Sequence, residues 1–444
     1  MADAGARATL MALYEAAYST AHPSVCLPPY LPPVPAGGRI IIIGGGKGSA
    51  AMAVATEEHY IATGEADKIS GLISTRHGFG LPTKIIQILE AGHPVPDDNS
   101  IAGAKKAIEL AKSAGPNDLV LCLLSGGASA IWAAPVNGVS FADKALTTKL
   151  LLRSGLAISE MNCVRKHLSQ IKGGKLAAAA YPARLLTVSI SDVPGDHPDE
   201  IGSGPTVADR STLAQAREIV ARASAILKSM PGYDQRPADE RDFPASVIAA
   251  LNDEANETLK AGDPKLANSD YKIVAAPKAS IEAAAKIARA KGYRVDILGD
   301  SLEGEAREVA KFHAAMALDA KRRGEKVAIM SGGELTVTVR GNGSGGPNQE
   351  YALGLAIALN GTPGISGLAG DTDGIDGGGG NAGDPAGAMV FPDTLARALA
   401  ANLNAANFLE NNDSTGFFRP IGDLILCGPT QTNVNDFRVI LVDP

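Results

Sequence analysis

One lysine inside a run of glycines, Lys47 in IIIGGGKGSA (41–50), is the residue best placed for chemistry on an anion. A cation where an apolar run ends and a helix begins opposes the helix dipole unless an anion binds there. Gly44, Gly45 and Gly46 beside it allow backbone N–H groups to approach a ligand with no side chain in the way. Two further stretches, LLSGGASA (123–130) and IMSGGE (329–334), repeat the pattern of an apolar run, a serine and two glycines. They add the hydroxyls of Ser125, Ser129 and Ser331 and the backbone donors of Gly126, Gly127, Gly332 and Gly333. Carboxylates gather at similar turns: Asp192 and Asp196, Glu334, and Asp371, Asp373 and Asp376 in LAGDTDGIDGGGG (368–380). Acids crowded at strand ends repel one another unless a cation sits among them. Magnesium binds through one or two carboxylates plus phosphates, and oxygen ligands without thiolates favour it over zinc. Phosphate with its metal is the first expectation.

Each motif has a second reading. From Gly46, GKGSAA fits the relaxed G-x-G-x-x-A dinucleotide fingerprint, with Glu65 or Asp67 at the distance of a ribose contact, whereas the P-loop spacing is missing. The Ser-Gly-Gly turns could be ordinary helix caps, and loop aspartates commonly make Asx turns. Residues 159–175 read as one amphipathic helix with Met161, Val164, Leu168 and Ile171 as its apolar stripe. Arg165 and Lys172 lie on the next face, in register with Asn162 and Ser169. That face is either solvated or supplies the cations that a carboxylate or phosphoryl group needs. His93 and His197, each before a proline, are read as structural or substrate-contacting.

These residues need strand ends to hold them. Apolar runs at 39–43, 71–74, 85–90, 118–124 and 185–190 alternate with helical patterns at 7–18, 49–62, 100–113, 143–156 and 160–178, which implies parallel βαβ pairing. Residues 230–244, rich in Pro, Asp and Arg, read as a domain boundary. Strands resume at 272–276, 293–298, 326–330, 365–369, 386–391, 424–427 and 437–442. LTVTVR (335–340) alternates in a period of two, so the second sheet is expected to be mixed.

At 444 residues the chain is long enough for two cores. It is 45% hydrophobic and 20% charged, with only 4% aromatic residues and a net charge of −7, which argues against a nucleic-acid partner. Its four cysteines form no CxxC pair, and Cys122 and Cys427 sit in apolar runs as small buried hydrophobes. No apolar run reaches a membrane span, and Asp3, Arg7 and Glu15 interrupt any signal-peptide pattern. A cytoplasmic enzyme acting on a small molecule, with neither nucleic acid nor membrane as partner, is expected; a homodimer is left open.

Taken together, GGGKGSAAMA, GHPVPDDNS, LLSGGASA, MNCVRKHLSQIKGGKLA, SDVPGDHPDEIGSGPT, SGGELTVTVRGNGSGGPNQE, AGDTDGIDG and GPTQTNVND resemble the class II glycerate 2-kinase family, whose C-terminal half is the MOFRL domain. The resemblance runs from about Ala8 to Asp436. It implies a Rossmann-like N-terminal domain (1–235), a mixed α/β C-terminal domain (236–444) and an active site in the cleft between them. It also implies transfer of the ATP γ-phosphate to the C2 hydroxyl of D-glycerate, although relatives are often labelled hydroxypyruvate reductases. A non-catalytic sensor is a third reading. The resemblance implies a functional role for Lys47; Asp192, which follows a strand and opens the GD/GSGP loop, is the candidate to deprotonate the C2 hydroxyl, and the loop acids Asp373, Asp376 and Glu334 are candidates for Mg²⁺. Arg165, Lys172, Ser125, Ser129 and Asn348 are expected to hold substrate, with Lys175 or Arg340 as further cations. Gly44–Gly46, Gly126, Gly127 and Ser331–Gly333 would hold ATP. Many members carry arginines where this chain has Ser344 and Pro347, so that role does not transfer.

Overall fold

The structure, a computed structural model, describes residues 4–237, 240–377, 381 and 383–444; the loop glycines at 378–380 lie outside the described residues. Among the described residues twelve strands form two six-stranded sheets. The first contains β1 (Ile40–Gly45), β2 (Ile69–Arg76), β3 (Gln87–Ala91), β4 (Leu119–Leu124), β5 (Arg184–Ile190) and β6 (Ser269–Ala275), in the order β3-β2-β1-β4-β5-β6. Strands β1 to β5 pair in parallel. β1 and β4 are buried along their whole length, as unbroken Ile and Leu runs require when helices cover both faces.

The second sheet contains β7 (Arg294–Ile297), β8 (Val327–Ser331), β9 (Ile365–Asp371), β10 (Gly387–Val390), β11 (Leu424–Ile425) and β12 (Asp436–Val442), in the order β11-β10-β9-β12-β8-β7. Only β7 and β8 pair in parallel; the other neighbours are antiparallel. The sheet is mixed as expected, but not through LTVTVR. That segment makes a single bridge, Thr336 to Glu305, and is no strand.

The chain divides into two compact units that are discontinuous in sequence: residues 1–29, 190–196 and 273–444 around the mixed sheet, and 30–189 and 197–272 around the parallel one. The helix Ala4–Thr20 belongs to the mixed-sheet unit because Leu10, Leu13, Tyr14 and Ala17 bury against Ile281, Ala284 and Ala288. The segment 230–244, expected as the boundary, lies inside the parallel-sheet unit. There Phe243, Val247, Ala250 and Leu251 join the core of Leu150, Val164, Leu213 and Val220. β6, expected to begin the second sheet, is instead the edge of the first.

The single helix expected over 160–178 is two, Ile158–His167 and Lys175–Ala180. Gly173 and Gly174 take φ of +60° and +80°, which a right-handed helix cannot include. Arg165 and Lys172 therefore do not share a helix face. Cys427 is exposed, not a buried hydrophobe. Among the described residues no helix is long and apolar enough to cross a membrane.

Candidate functional site

In the parallel-sheet unit the turns after β1 and β4 are locked together. The Lys47 N–H donates to the Gly126 carbonyl at 2.8 Å, and the Gly48 N–H donates to Ser125 Oγ at 2.9 Å. Ser125 is fully buried, so it is a staple between two turns and not a substrate contact. A β-carbon at Gly46 (φ +139°) would lie 2.2 Å from Ser125 Oγ, so close approach alone dictates glycine there. Gly44 and Gly45 are buried inside β1, where a β-carbon would meet the Leu123 carbonyl or the Trp132 ring. The Gly46 N–H is taken by the Ser74 carbonyl. The expected anion cradle at 44–46 is therefore a packing device.

The ligand-facing part of this turn is the Lys47 side chain, half-buried beside Gly127. A β-carbon on Gly127 (φ +82°) would lie 2.9 Å from the His93 ring and 3.4 Å from Lys47 Cγ. Two residues on, the Ser129 hydroxyl lies 2.7 Å from that of Ser203. Lys172 Nζ donates to the Ser129 carbonyl at 2.8 Å and lies 3.4 Å from Ser203 Oγ. Ser203 sits between Gly202 and Gly204 with all three in the left-handed region; a serine held there is strain of the kind that functional loops retain. Burial, together with the nearby Lys144, Arg165 and Lys166, holds the Lys172 pKa well below the usual lysine range. Ser129, Ser203 and Lys172 thus form one hydrogen-bonded cluster, two residues along the chain from the Lys47–Gly127 contact. Ser203 and Lys144 were not singled out from the sequence; the left-handed GSGP run was the available signal for Ser203.

In the mixed-sheet unit Asp192 is half-buried, with its carboxylate accepting from Asn433 Nδ2 at 2.9 Å and its carbonyl from Asn435 Nδ2 at 3.0 Å. Neither asparagine was predicted, although both lie in GPTQTNVND. Thr372 Oγ1 donates to the Asn435 carbonyl at 2.6 Å and accepts from the Val434 N–H at 2.9 Å. The Thr430 N–H donates to the Asp373 carbonyl, so the DTDG and TNVND loops are one hydrogen-bonded body.

Asp376, expected at the metal, is engaged elsewhere. Its carboxylate is buried and accepts from the N–H groups of Asn348 and Gln349 at 3.0 and 2.8 Å and from both their side-chain amides. It anchors the first turn of the helix Pro347–Leu359. Burial pushes its pKa up to about 7, with the N–H donors opposing. Asn348 is likewise fully buried; its amide nitrogen donates to Asp376 and Asp436 at 3.2 and 2.7 Å, while its Oδ1 has no hydrogen-bond partner among the described residues. The Ser331–Gly333 turn is stitched by the buried Arg438, which donates to Ser331 Oγ and to the carbonyls of Gly332 and Gly333. The Gly332 N–H is taken by Gly299. This turn is structural, and Arg438 was missed because an arginine inside an apolar strand pattern carries no chemical signature. Glu334 beyond it is exposed.

Residues 327–436 match the MOFRL family, and 9–232 match the family described as a domain of unknown function, DUF4147. A glycerate 2-kinase of Pyrococcus horikoshii is 37% identical over 410 residues, covering 91% of this chain and 88% of the relative. The crystal structure of a glycerate kinase from Thermotoga maritima superposes with a TM-score of 0.84 at 34% identity, covering 99% of this chain and all of that one. The chain belongs to the MOFRL-domain glycerate kinase family. Within it, an Agrobacterium vitis protein with a provisional hydroxypyruvate reductase name is 46% identical over 446 residues, covering 99% of this chain and 95% of the relative.

Pro347 is the first residue of the helix Pro347–Leu359, a position that needs no N–H. The Ser344 N–H donates to Asp413 Oδ1 and its carbonyl accepts from the Thr415 N–H. Arg340 is exposed, its guanidinium 3.9 Å from Glu410. No group of three or more His, Cys, Asp or Glu among the described residues could cage a metal ion. A magnesium held mainly by phosphates asks less of the protein; half-buried Asp371, at the end of β9, fits that demand, while Asp373 is buried and its Oδ1 accepts from the Ile375 N–H.

Proposed function

We propose that this protein transfers the γ-phosphoryl group of ATP to the C2 hydroxyl of D-glycerate, giving 2-phosphoglycerate and ADP. The bond from C2 oxygen to Pγ forms as the bond from Pγ to the ADP oxygen breaks, and the hydroxyl proton passes to a carboxylate. Asp192, aimed by Asn433 and Asn435, takes that proton. Lys47 steadies the migrating phosphoryl group beside the Gly126–Gly127 turn, and Ser129, Lys172 and Arg165 hold the acid. Mg²⁺, carried on the phosphates and touched by Asp373 and Asp371, would neutralise their charge.

The reductase reading lacks one group. A dinucleotide site needs an acid at the end of β2 for the ribose. β2 runs parallel to β1 and ends in Thr75 and Arg76, whereas Glu65 and Asp67 precede β2 at the opposite end of the strand. Glu65 there accepts from Thr63 Oγ1 and faces Lys68. That observation carries the kinase reading over the reductase one. Purified protein given D-glycerate, ATP and Mg²⁺ yields 2-phosphoglycerate by NMR; oxidation of NADH or NADPH by hydroxypyruvate without ATP would reverse the assignment.

A further inference from the structure

The Lys144 ammonium is buried and has no hydrogen-bond partner among the described residues. Lys144 lies in the first turns of the helix Phe141–Arg153, whose start is capped by Ser140 accepting from the Asp143 N–H. That helix packs on Ile158–His167 through Leu150, Leu151, Met161 and Val164. The charged groups close enough to act on Lys144 are all cations: Arg165 and Lys175 on the two following helices, and Lys172 from the turn between them. Lys175 is satisfied by the carbonyls of Ser169 and Asn256, and Lys172 by Ser129 and Ser203. Arg165 is half-buried and makes no hydrogen bond or ion pair with any described residue.

The neighbouring carboxylates are already engaged. Glu200 accepts from Asn162 and faces Lys166, and Asp209 accepts from Lys166 and Ser211. Glu257 holds His167 and Lys260, and Glu160 pairs with Arg222. On its own helix, Asp143 accepts from Ser246. Lys175 is offset by Glu257 and Asp209, but no carboxylate among the described residues acts on Lys144, Arg165 or Lys172, and such buried cations are costly unless an anion enters.

We infer that Lys144 is the third cation, with Arg165 and Lys172, of a preformed pocket for the carboxylate of the hydroxy-acid substrate. This rests on the glycerate kinase reading and adds a residue to it. Burial, Arg165 and Lys175 hold the Lys144 pKa down to about 7, so an arriving carboxylate raises it and draws a proton from solution.

The test is calorimetric titration of the full chain with D-glycerate at pH 8, in two buffers of different ionisation enthalpy, with inorganic phosphate as a second probe. Wild type should bind D-glycerate with net proton uptake. Lys144→Met should bind at least tenfold more weakly with markedly less uptake, and Lys144→Arg should bind well with uptake reduced to the part that Lys172 supplies. A structural role would move stability but not the proton count. D-glycerate binding without proton uptake in wild type, or unchanged affinity and uptake in Lys144→Met, overturns the inference. Phosphate weakened by Lys144→Met with D-glycerate untouched also overturns it, because the pocket then serves phosphoryl groups. Should Lys144→Met not fold, the wild-type proton count and Lys144→Arg decide. The NMR product assay judges the kinase reading separately: 2-phosphoglycerate formation with Lys144 indifferent would sink this inference alone.

Discussion

Asn433 donates to the Asp192 carboxylate at 2.9 Å, while two residues later Asn435 holds the Asp192 carbonyl at 3.0 Å. The acid is thus gripped at side chain and backbone by one loop, which fixes the direction of its remaining lone pairs. A proton acceptor aimed this way loses little entropy at the moment of transfer.

Asp192→Asn should lower kcat by roughly 10²–10⁴, the usual worth of a positioned general base. Asn433→Ala should cost about tenfold in kcat, leave KM for ATP unchanged and move the acidic limb of the kcat profile to higher pH. The sign follows from losing a hydrogen bond to the ionised form, which raises the carboxylate pKa. An Asn433→Ala enzyme with wild-type kcat and pH limb would remove the aiming role.

Lys47 carries the other half of the reaction. Lys47→Ala should lower kcat by roughly 10²–10³, by analogy with the loss of one preorganised donor at a developing charge. KM for ATP should rise much less than kcat falls. Steady-state kinetics on the purified variant decide this, and a near-normal kcat would rule the role out.

Asp376 and Asp373 should behave differently despite lying three residues apart. Asp376→Asn places an amide against the N–H donors of Gln349 and should destabilise the mixed-sheet unit by about 1–3 kcal/mol. Urea unfolding should show that loss, and added Mg²⁺ should not restore activity. Asp373→Asn should instead regain part of its activity as Mg²⁺ is raised. Mg²⁺ rescue of Asp376→Asn would return that residue to the metal site.

Glu257 gives the parallel-sheet unit an acid-labile point. Burial acts against its charge, yet hydrogen bonds from Lys260, the Leu213 N–H, His167 and the Thr258 N–H hold its pKa at about 2. A depressed carboxylate pKa contributes stability above the unfolded value and loses it as pH falls toward the folded one. Allowing for solvent screening, about 1–2 kcal/mol should disappear between pH 5 and about pH 2. Glu257→Gln should be less stable than wild type at pH 7, with the difference shrinking in acid; a constant difference from pH 7 to pH 3 would refute the linkage.

The strands and the parallel character of the first sheet were legible in the residues, because an Ile or Leu run buried on both faces has few other places to go. The glycine turns and their order were legible too, as was the family they resemble. Three things were not. LTVTVR has a strand's alternation but no partner strand, and pairing is a property of two segments. The helix written across 160–178 has an unbroken apolar period, yet it ends at His167, and left-handed Gly173–Gly174 start a second helix after a turn from which Lys172 donates to the Ser129 carbonyl. The composition break at 230–244 looks like a linker, but Phe243 within it is buried in the core.

The same division holds for the candidate site. Sequence alone marked Lys47 and Asp192 by residue type and by position after an apolar run, and Lys172 by a helix face shared with Arg165 that the fold does not contain. It could not separate Asp373 from Asp376, since both are aspartates in one glycine-rich loop; only the helix start at Pro347 decides that Asp376 is consumed by backbone donors. It could not find Asn433, Arg438 or Lys144, whose partners, or lack of them, come from chain segments far away in sequence. Periodicity reports which residues are buried. Which polar group meets which is set by long-range contacts, and those exist only once the chain has folded.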